Sequence, residues 1–180
     1  VSDVASAIYD GSDAIMLSGE TAVGKFPLEC VRMMKSIVSN VEKEILENEE
    51  FFNLITSPDK TNSGNAICSS AFEMAKDLSL KIMVIMTESG NTGNTMSSFR
   101  PSSLIFAMTP SDKVYRKLSL TWGVVPIKVK KFKSTDQMLE FCRKFLIDNN
   151  IIKKGEQFIM TAGIPVGVTG TTNMIKIETI

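Results

Sequence analysis

Ile82-Met83-Val84-Ile85-Met86-Thr87-Glu88-Ser89-Gly90-Asn91-Thr92 joins five consecutive apolar residues to a loop of small hydrogen-bonding ones. The apolar run has the length and composition of a strand covered on both faces, as in a parallel sheet with helices above and below. In such sheets ligands collect at the carboxyl ends of the strands. The loop offers hydroxyls at Thr87, Ser89 and Thr92, an amide at Asn91, and at Gly90 a backbone that a ligand can approach closely. A helix starting near Thr92 would add free N–H groups and a positive dipole end, which suits a phosphate. The same residues also build an ordinary strand-to-helix turn, and the Gly-rich run plus Lys of a P-loop is missing. Glu88 opposes an anion unless its side chain points away.

Working outward, Ala66, Ile67, Ala71, Met74, Ala75 and Leu78 form a helical stripe that leads into this strand. After the loop come a short helix to Phe99, the step Arg100-Pro101, and a strand Leu104–Met108. A helix over 111–120 turns Val114, Tyr115 and Leu118 inward. Pro126 in the strand 124–129, with Lys128, Lys130, Lys131 and Lys133, marks an edge strand guarded against stray pairing. Ser134 and Gln137 have capping-box spacing and open a helix carrying Met138, Leu139, Phe141, Cys142, Phe145 and Leu146. The strands 157–161 and 173–177 are joined by a loop of small residues too short for a helix, so they pair antiparallel. Residues 63–180 are thus expected to form a three-layer α/β/α domain with a mixed, mostly parallel five-stranded sheet, its last strand antiparallel.

Ahead of this unit, apolar positions 4, 5, 7 and 8 followed by Gly11 predict the end of a helix. Ala14–Leu17 reads as a short strand, and Pro27 opens a helix through Leu28, Val31, Met34, Ile37, Val38, Val41 and Ile45. One helix-strand-helix repeat cannot bury its own strand. Residues 1 to about 25 are therefore expected to be mobile or packed against another molecule. The glutamates of 42–50 and the Ser57-Pro58-Asp59-Lys60 cluster mark a junction, giving the division 1–45, 46–62 and 63–180.

At 180 residues the chain is long for one domain and short for two. Twenty basic residues balance twenty acidic ones, so no global field favours nucleic acid or a membrane surface. No apolar run reaches the length of a membrane span. Three scattered cysteines, Cys30, Cys68 and Cys142, read as reduced core thiols of a cytoplasmic protein. The absence of histidine removes the commonest general base and the commonest metal ligand together, which excludes zinc and Ser-His-Asp chemistry within the chain and leaves carboxylates, lysines, hydroxyls or a hard cation such as magnesium.

The run Asp13-Ala14-Ile15-Met16-Leu17-Ser18-Gly19-Glu20-Thr21-Ala22-Val23-Gly24-Lys25-Phe26-Pro27-Leu28-Glu29 strongly resembles pyruvate kinase. Thr87-Glu88-Ser89-Gly90-Asn91-Thr92 resembles that family's effector phosphate loop, and Arg100-Pro101 its R-P step. Trp122-Gly123-Val124, Thr161-Ala162-Gly163 and Gly170-Thr171-Thr172-Asn173 look like bacterial-type members. The resemblance spans the whole chain but only the carboxyl-terminal part of the family's length. It implies that residues 1–45 are the end of a (β/α)8 catalytic barrel, and 63–180 a regulatory domain binding an allosteric activator.

The resemblance further implies phosphoryl transfer from phosphoenolpyruvate to ADP in glycolysis, with Mg2+ and K+ held by residues upstream of this chain and no cofactor within it. It places Ser18 and Glu20 at the edge of the active site, Ser18 as a water or proton-relay partner and Glu20 as a structural group. Thr87, Ser89, Gly90, Asn91 and Thr92 are the implied effector phosphate site, with Gly167, Thr169 and Gly170 in a loop that closes over the ligand. Glu88 stands where some relatives have lysine, and Asn91 where some have arginine. Those departures weaken a bisphosphate and leave a sugar monophosphate or a nucleotide. A homotetramer is implied as well. The alternative is a self-standing phosphate-metabolite-binding module without catalysis.

Overall fold

The computed structural model describes residues 1–47, 62–167, 170 and 172–180. The chain divides into two units, Val1–Thr56 and Ser57–Ile180. In the first, α1 (Ser2–Tyr9) ends as its sequence requires. Gly11 adopts φ 82° and donates to the Ile8 carbonyl at 3.0 Å, while the Ser12 N–H reaches the Ala7 carbonyl at 3.0 Å. This is the paired-bond closure that a left-handed glycine permits. After α1 come a short helix α2 (Gly19–Ala22) and a long one, α3 (Pro27–Glu47). Tyr9 Oη donates to Glu44 at 2.7 Å, linking α1 to α3.

The expected strand Ala14–Leu17 is not a strand. Extended backbone becomes a strand by pairing with a neighbour, and none is available to it among the described residues of this unit. Val41 is the one buried residue of these helices, while Met16, Val23, Phe26, Leu28, Val31 and Met33 remain exposed. The glutamates up to Glu47 lie on α3. The rest of the expected 46–62 linker, from 48 to 61, falls outside the described residues.

The second unit is a sheet with helices on both faces. Its elements in chain order are α4 (Ser63–Asp77), β1 (Ile82–Met86), α5 (Asn91–Ser98), β2 (Leu104–Thr109), α6 (Asp112–Leu118), β3 (Val124–Lys128), α7 (Thr135–Asp148), β4 (Gln157–Gly163) and β5 (Thr172–Thr179). The sheet order is β3-β2-β1-β4-β5, with β4 and β5 antiparallel and the other pairs parallel. β1 is central, and Ile82 to Ile85 are all buried. Its side chains alternate between two cores. Met83 and Ile85 meet Cys68, Ala71 and Ala75 of α4, Met96 of α5 and Leu118 of α6. Ile82 and Val84 meet Met138, Cys142 and Leu146 of α7. Alternation along the strand thus produces the three layers.

Two inward faces differ from the sequence expectation. On α4 the buried stripe is Cys68, Ala71 and Ala75 with half-buried Phe72, while Met74 and Leu78 are exposed. Two overlapping stripes satisfy the helical period, and small residues won because they let the helix approach the sheet closely. Tyr115 points outward, leaving Val114 and Leu118, four residues apart, as the buried pair of α6. β3 is an edge strand as its proline and lysines indicate, with Pro126 opposite Ala107 of β2. Ser134 caps α7 by accepting the Gln137 N–H at 3.2 Å. Gln137 reaches back to the Lys133 N–H at 2.8 Å, one residue before the usual partner.

At the other edge, Glu178 of β5 is buried and held by Arg143 of α7 and by Lys176, whose Nζ lies 3.1 Å away. Burial pushes the Glu178 carboxyl up, but hydrogen bonds and charge from Lys176 and Arg143 outweigh it, and its pKa lies below the usual value. A carboxylate with a depressed folded pKa stabilises above the unfolded pKa and loses that contribution as pH falls through the folded one. Both cations are half-exposed, which limits the effect. Glu178→Gln should cost about 1 kcal/mol at neutral pH, and that cost should shrink as pH is lowered below the ordinary glutamate range, measured by urea unfolding at neutral and at acid pH. An equal loss at both pH values would contradict the assignment.

Candidate functional site

A cavity of about 350 Å3 opens at the carboxyl ends of the parallel strands. The topology explains the position. From β1 the chain moves through β2 to β3 on one side, then crosses over α7 to β4 on the other. A crevice forms at such a switch point, where connections leave in opposite directions.

The polar wall comes from the loop after β1. Thr87 is buried, and its Oγ1 accepts the Gly90 N–H at 2.8 Å. Gly90 is the N-cap of α5 with φ 89°, and having no side chain it caps none of the helix's N–H groups. The Asn94 N–H closes the first turn on the Gly90 carbonyl at 3.0 Å. Ser89 Oγ is a weak acceptor for the Asn91 N–H at 3.4 Å. The first-turn N–H groups of Thr92 and Gly93 have no intrahelical acceptor by helix construction. They carry the positive end of the α5 dipole.

Of the residues singled out from sequence, Thr87, Ser89, Asn91, Thr92, Gly167 and Gly170 line this cavity, and Glu88 lines it too. Gly90 does not. A Cβ there would stand 3.2 Å from Val114 Cγ1 and 3.7 Å from Leu118 Cδ2, so this glycine makes room for α6. Thr169 lies outside the described residues. Ser18 and Glu20 belong to the first unit. There the Glu20 carboxylate accepts the Ser18 N–H at 3.2 Å, and Thr21 Oγ1 donates to the Ser18 carbonyl at 3.2 Å. Hydrogen bonds from the backbone of Glu20 and Ser18 lower the Glu20 pKa. Gly24 ends this turn because a Cβ would sit 2.2 Å from the Glu20 carbonyl oxygen. The local geometry is that of a tight turn tied by hydrogen bonds among Ser18, Glu20 and Thr21.

Sequence reasoning missed several cavity residues. Lys130, Lys131 and Phe132 come after β3 and line the cavity, while Lys128 pairs instead with Asp112 at 2.6 Å. Residues 87–92 were singled out because ligands gather at the loops leaving parallel strands, and the same rule applies to 129–132. Asn62, Gly64 and Asn65, at the start of α4, also contribute, and so does Thr172 at the start of β5. The inner lining is soft and apolar, from Met86, Met108, Met138 and Cys68. Burial pushes the Cys68 thiol up to about 11, so it stays protonated and is a poor nucleophile. No cluster of three or more carboxylate, thiol or imidazole groups suited to a metal ion occurs among the described residues. No helix among them is long and apolar enough to cross a membrane.

The fold is a three-layer α/β domain, with an uncapped helix N-terminus, hydroxyls and two lysines around a concave cavity at the sheet's switch point. Residues 65–178 match the family described as pyruvate kinase, alpha/beta domain, and residues 1–31 match pyruvate kinase, barrel domain. The chain belongs to the pyruvate kinase family. It is 39% identical over 179 residues to a pyruvate kinase of Clostridium acetobutylicum, covering 99% of this chain and 38% of that protein. It is 43% identical over 180 residues to a pyruvate kinase of Staphylococcus aureus, covering 98% of this chain and 30% of that one. A crystal structure of a pyruvate kinase from Cryptosporidium parvum superimposes with a TM-score of 0.81 at 30% identity, covering 99% of this chain and 35% of that one. The chain therefore spans about a third of the length of the relatives it matches.

Gly90 beside the cavity and Gly167 on its wall separate conformational strain from steric crowding. Gly90→Ala meets both a left-handed backbone and the 3.2 Å contact with Val114, whereas Gly167 has φ 87° with nothing within 4 Å. Gly167→Ala should cost about 1 kcal/mol and Gly90→Ala about 2 kcal/mol, read by chemical denaturation. Equal losses would show that crowding at Gly90 is relieved by repacking.

Proposed function

We propose that this chain is the carboxyl-terminal part of a cytoplasmic pyruvate kinase, the enzyme that transfers a phosphoryl group from phosphoenolpyruvate to ADP, giving pyruvate and ATP in glycolysis. Its role there is to bind a phosphorylated effector and to contribute subunit contacts in a homotetramer. The observation that carries the effector reading is the meeting, in one cavity, of the uncapped α5 N-terminus with Thr87, Ser89, Asn91, Thr92, Lys130 and Lys131. Backbone N–H groups and the helix dipole favour an anion, hydroxyls donate to its oxygens, and lysines neutralise its charge.

In this proposal the catalytic charge neutralisation, including the Mg2+ and K+ sites, is supplied by other parts of the enzyme, and the chain alone is inactive. Positioning and electrostatics dominate phosphoryl transfer, and both need a complete active site. Ser18 and Glu20 shape the turn at that site's edge. Coupling between effector and catalysis is then a difference in effector affinity between two states of the whole enzyme. Glu88 places a carboxylate on the same cavity, which favours a ligand presenting hydroxyls beside one phosphate, a sugar monophosphate or a nucleoside monophosphate.

The test is a thermal-shift series with ribose 5-phosphate, glucose 6-phosphate, AMP, fructose bisphosphate and sulfate, repeated on Ser89→Ala. A ligand at about a hundred times its dissociation constant adds ~2.7 kcal/mol of stability. The expected result is stabilisation by a monophosphate that weakens in the variant. A chain unmoved by every phosphate would remove the effector assignment.

A further inference from the structure

Thr172, at the start of the edge strand β5, reaches the first turn of α5. Its Oγ1 lies 2.7 Å from Thr92 Oγ1, and both residues line the cavity. Either hydroxyl can be the donor in that contact. A pair of hydroxyls has two hydrogens and uses one between its members, so one remains to be aimed elsewhere. Thr92 is the second residue of α5, where the first-turn N–H groups face an incoming anion. When Thr172 donates, the Thr92 hydrogen is released toward that anion and is polarised by the bond behind it.

The next residue pins Thr172 in place. Asn173 Oδ1 accepts the Ile164 N–H at 2.9 Å, and its Nδ2 donates to the Ile164 carbonyl at 2.7 Å. One carboxamide thus satisfies both backbone groups of the residue that follows β4, next to Gly163 on the cavity wall. The start of β5 is clamped to β4 on one side and bonded to the first turn of α5 on the other.

We infer that Thr172 is a positioning residue for anion binding, acting through Thr92, with Asn173 holding it at the required distance. This rests on the reading of the cavity as a phosphate site. The Thr172 hydroxyl orients the Thr92 hydroxyl, and the ligand meets Thr92. Thr172→Val keeps the shape of the side chain and removes the donor; Thr172→Ser keeps the donor.

The experiment is calorimetric titration of this chain with ribose 5-phosphate and, separately, inorganic phosphate, using Thr172→Val, Thr172→Ser, Thr92→Val, the double valine variant and Asn173→Asp. Thermal unfolding of each variant serves as the check on folding. Thr92→Val should weaken binding about tenfold and Thr172→Val about fivefold, while Thr172→Ser stays within about twofold of the parent chain. In the Thr92→Val background the Thr172→Val substitution should have no further effect, a coupling that a merely structural role would not produce. Asn173→Asp, which cannot donate to the Ile164 carbonyl, should weaken binding to the level of Thr172→Val. Additive losses in the double variant, or Thr172→Val binding as tightly as the parent, would overturn the inference while leaving the phosphate site standing. A parent chain that binds neither probe overturns the phosphate reading itself and this inference with it.

Discussion

The constraint on which the second unit depends is the burial of β1 on both faces. Ile82 to Ile85 leave water almost completely, so every backbone N–H and C=O along them needs a partner within the protein. β2 and β4 supply those partners as parallel neighbours. Parallel pairing demands long crossovers, which become the helices, and the helices bury the alternating side chains. At the carboxyl end the apolar run stops at Thr87, whose N–H still reaches the Met108 carbonyl at 3.0 Å. Beyond it the chain turns away, and the cavity opens where the ladder ends.

That cavity combines a fixed positive dipole end, donors of several kinds and charges of both signs. The α5 N-terminus contributes N–H groups whose positions are set by the helix and need no side-chain ordering when a ligand arrives. Lys130 and Lys131 are exposed on long side chains, so they supply charge with less directional specificity. Glu88 lines the same cavity and counts against any ligand made only of anionic groups. The first unit is organised differently. Its helices bury Val41 and leave Phe26, Leu28, Val31 and Met33 in or beside them exposed. The turn around Ser18 and Glu20 is held by hydrogen bonds between residues a few positions apart.

Much of this was legible in one dimension because it depends on short-range physics. The length and apolarity of residues 82–86 specify a central strand, and Pro126 with its lysines specifies an edge. Ser134 and Gln137 specify a helix start, Gly11 a helix end, and the short connection after Gly163 an antiparallel last strand. The position of the polar loop after β1 was legible for the same reason, since strand polarity alone places it at the carboxyl end of the sheet, where the cavity opens. Illegible features were those settled by competition or by distance. Two stripes on α4 had equal periodicity, and only packing against the sheet selected Cys68, Ala71 and Ala75 over Met74 and Leu78. Ala14–Leu17 has a strand's composition, but composition supplies no hydrogen-bonding neighbour.

By itself the sequence determined the order and kind of elements in the sheet domain, its mixed pairing, and the chemistry of the loop from Thr87 to Thr92. Each of these depends on residues a few positions apart. Tertiary structure decided that Gly90 faces α6 rather than the cavity, that Lys130, Lys131 and Phe132 join the site, and that Thr172 meets Thr92 across eighty residues of chain. The physical reason is that such contacts depend on where strands register and helices cross. Those positions are set by the packing of the whole core, and no local pattern encodes them.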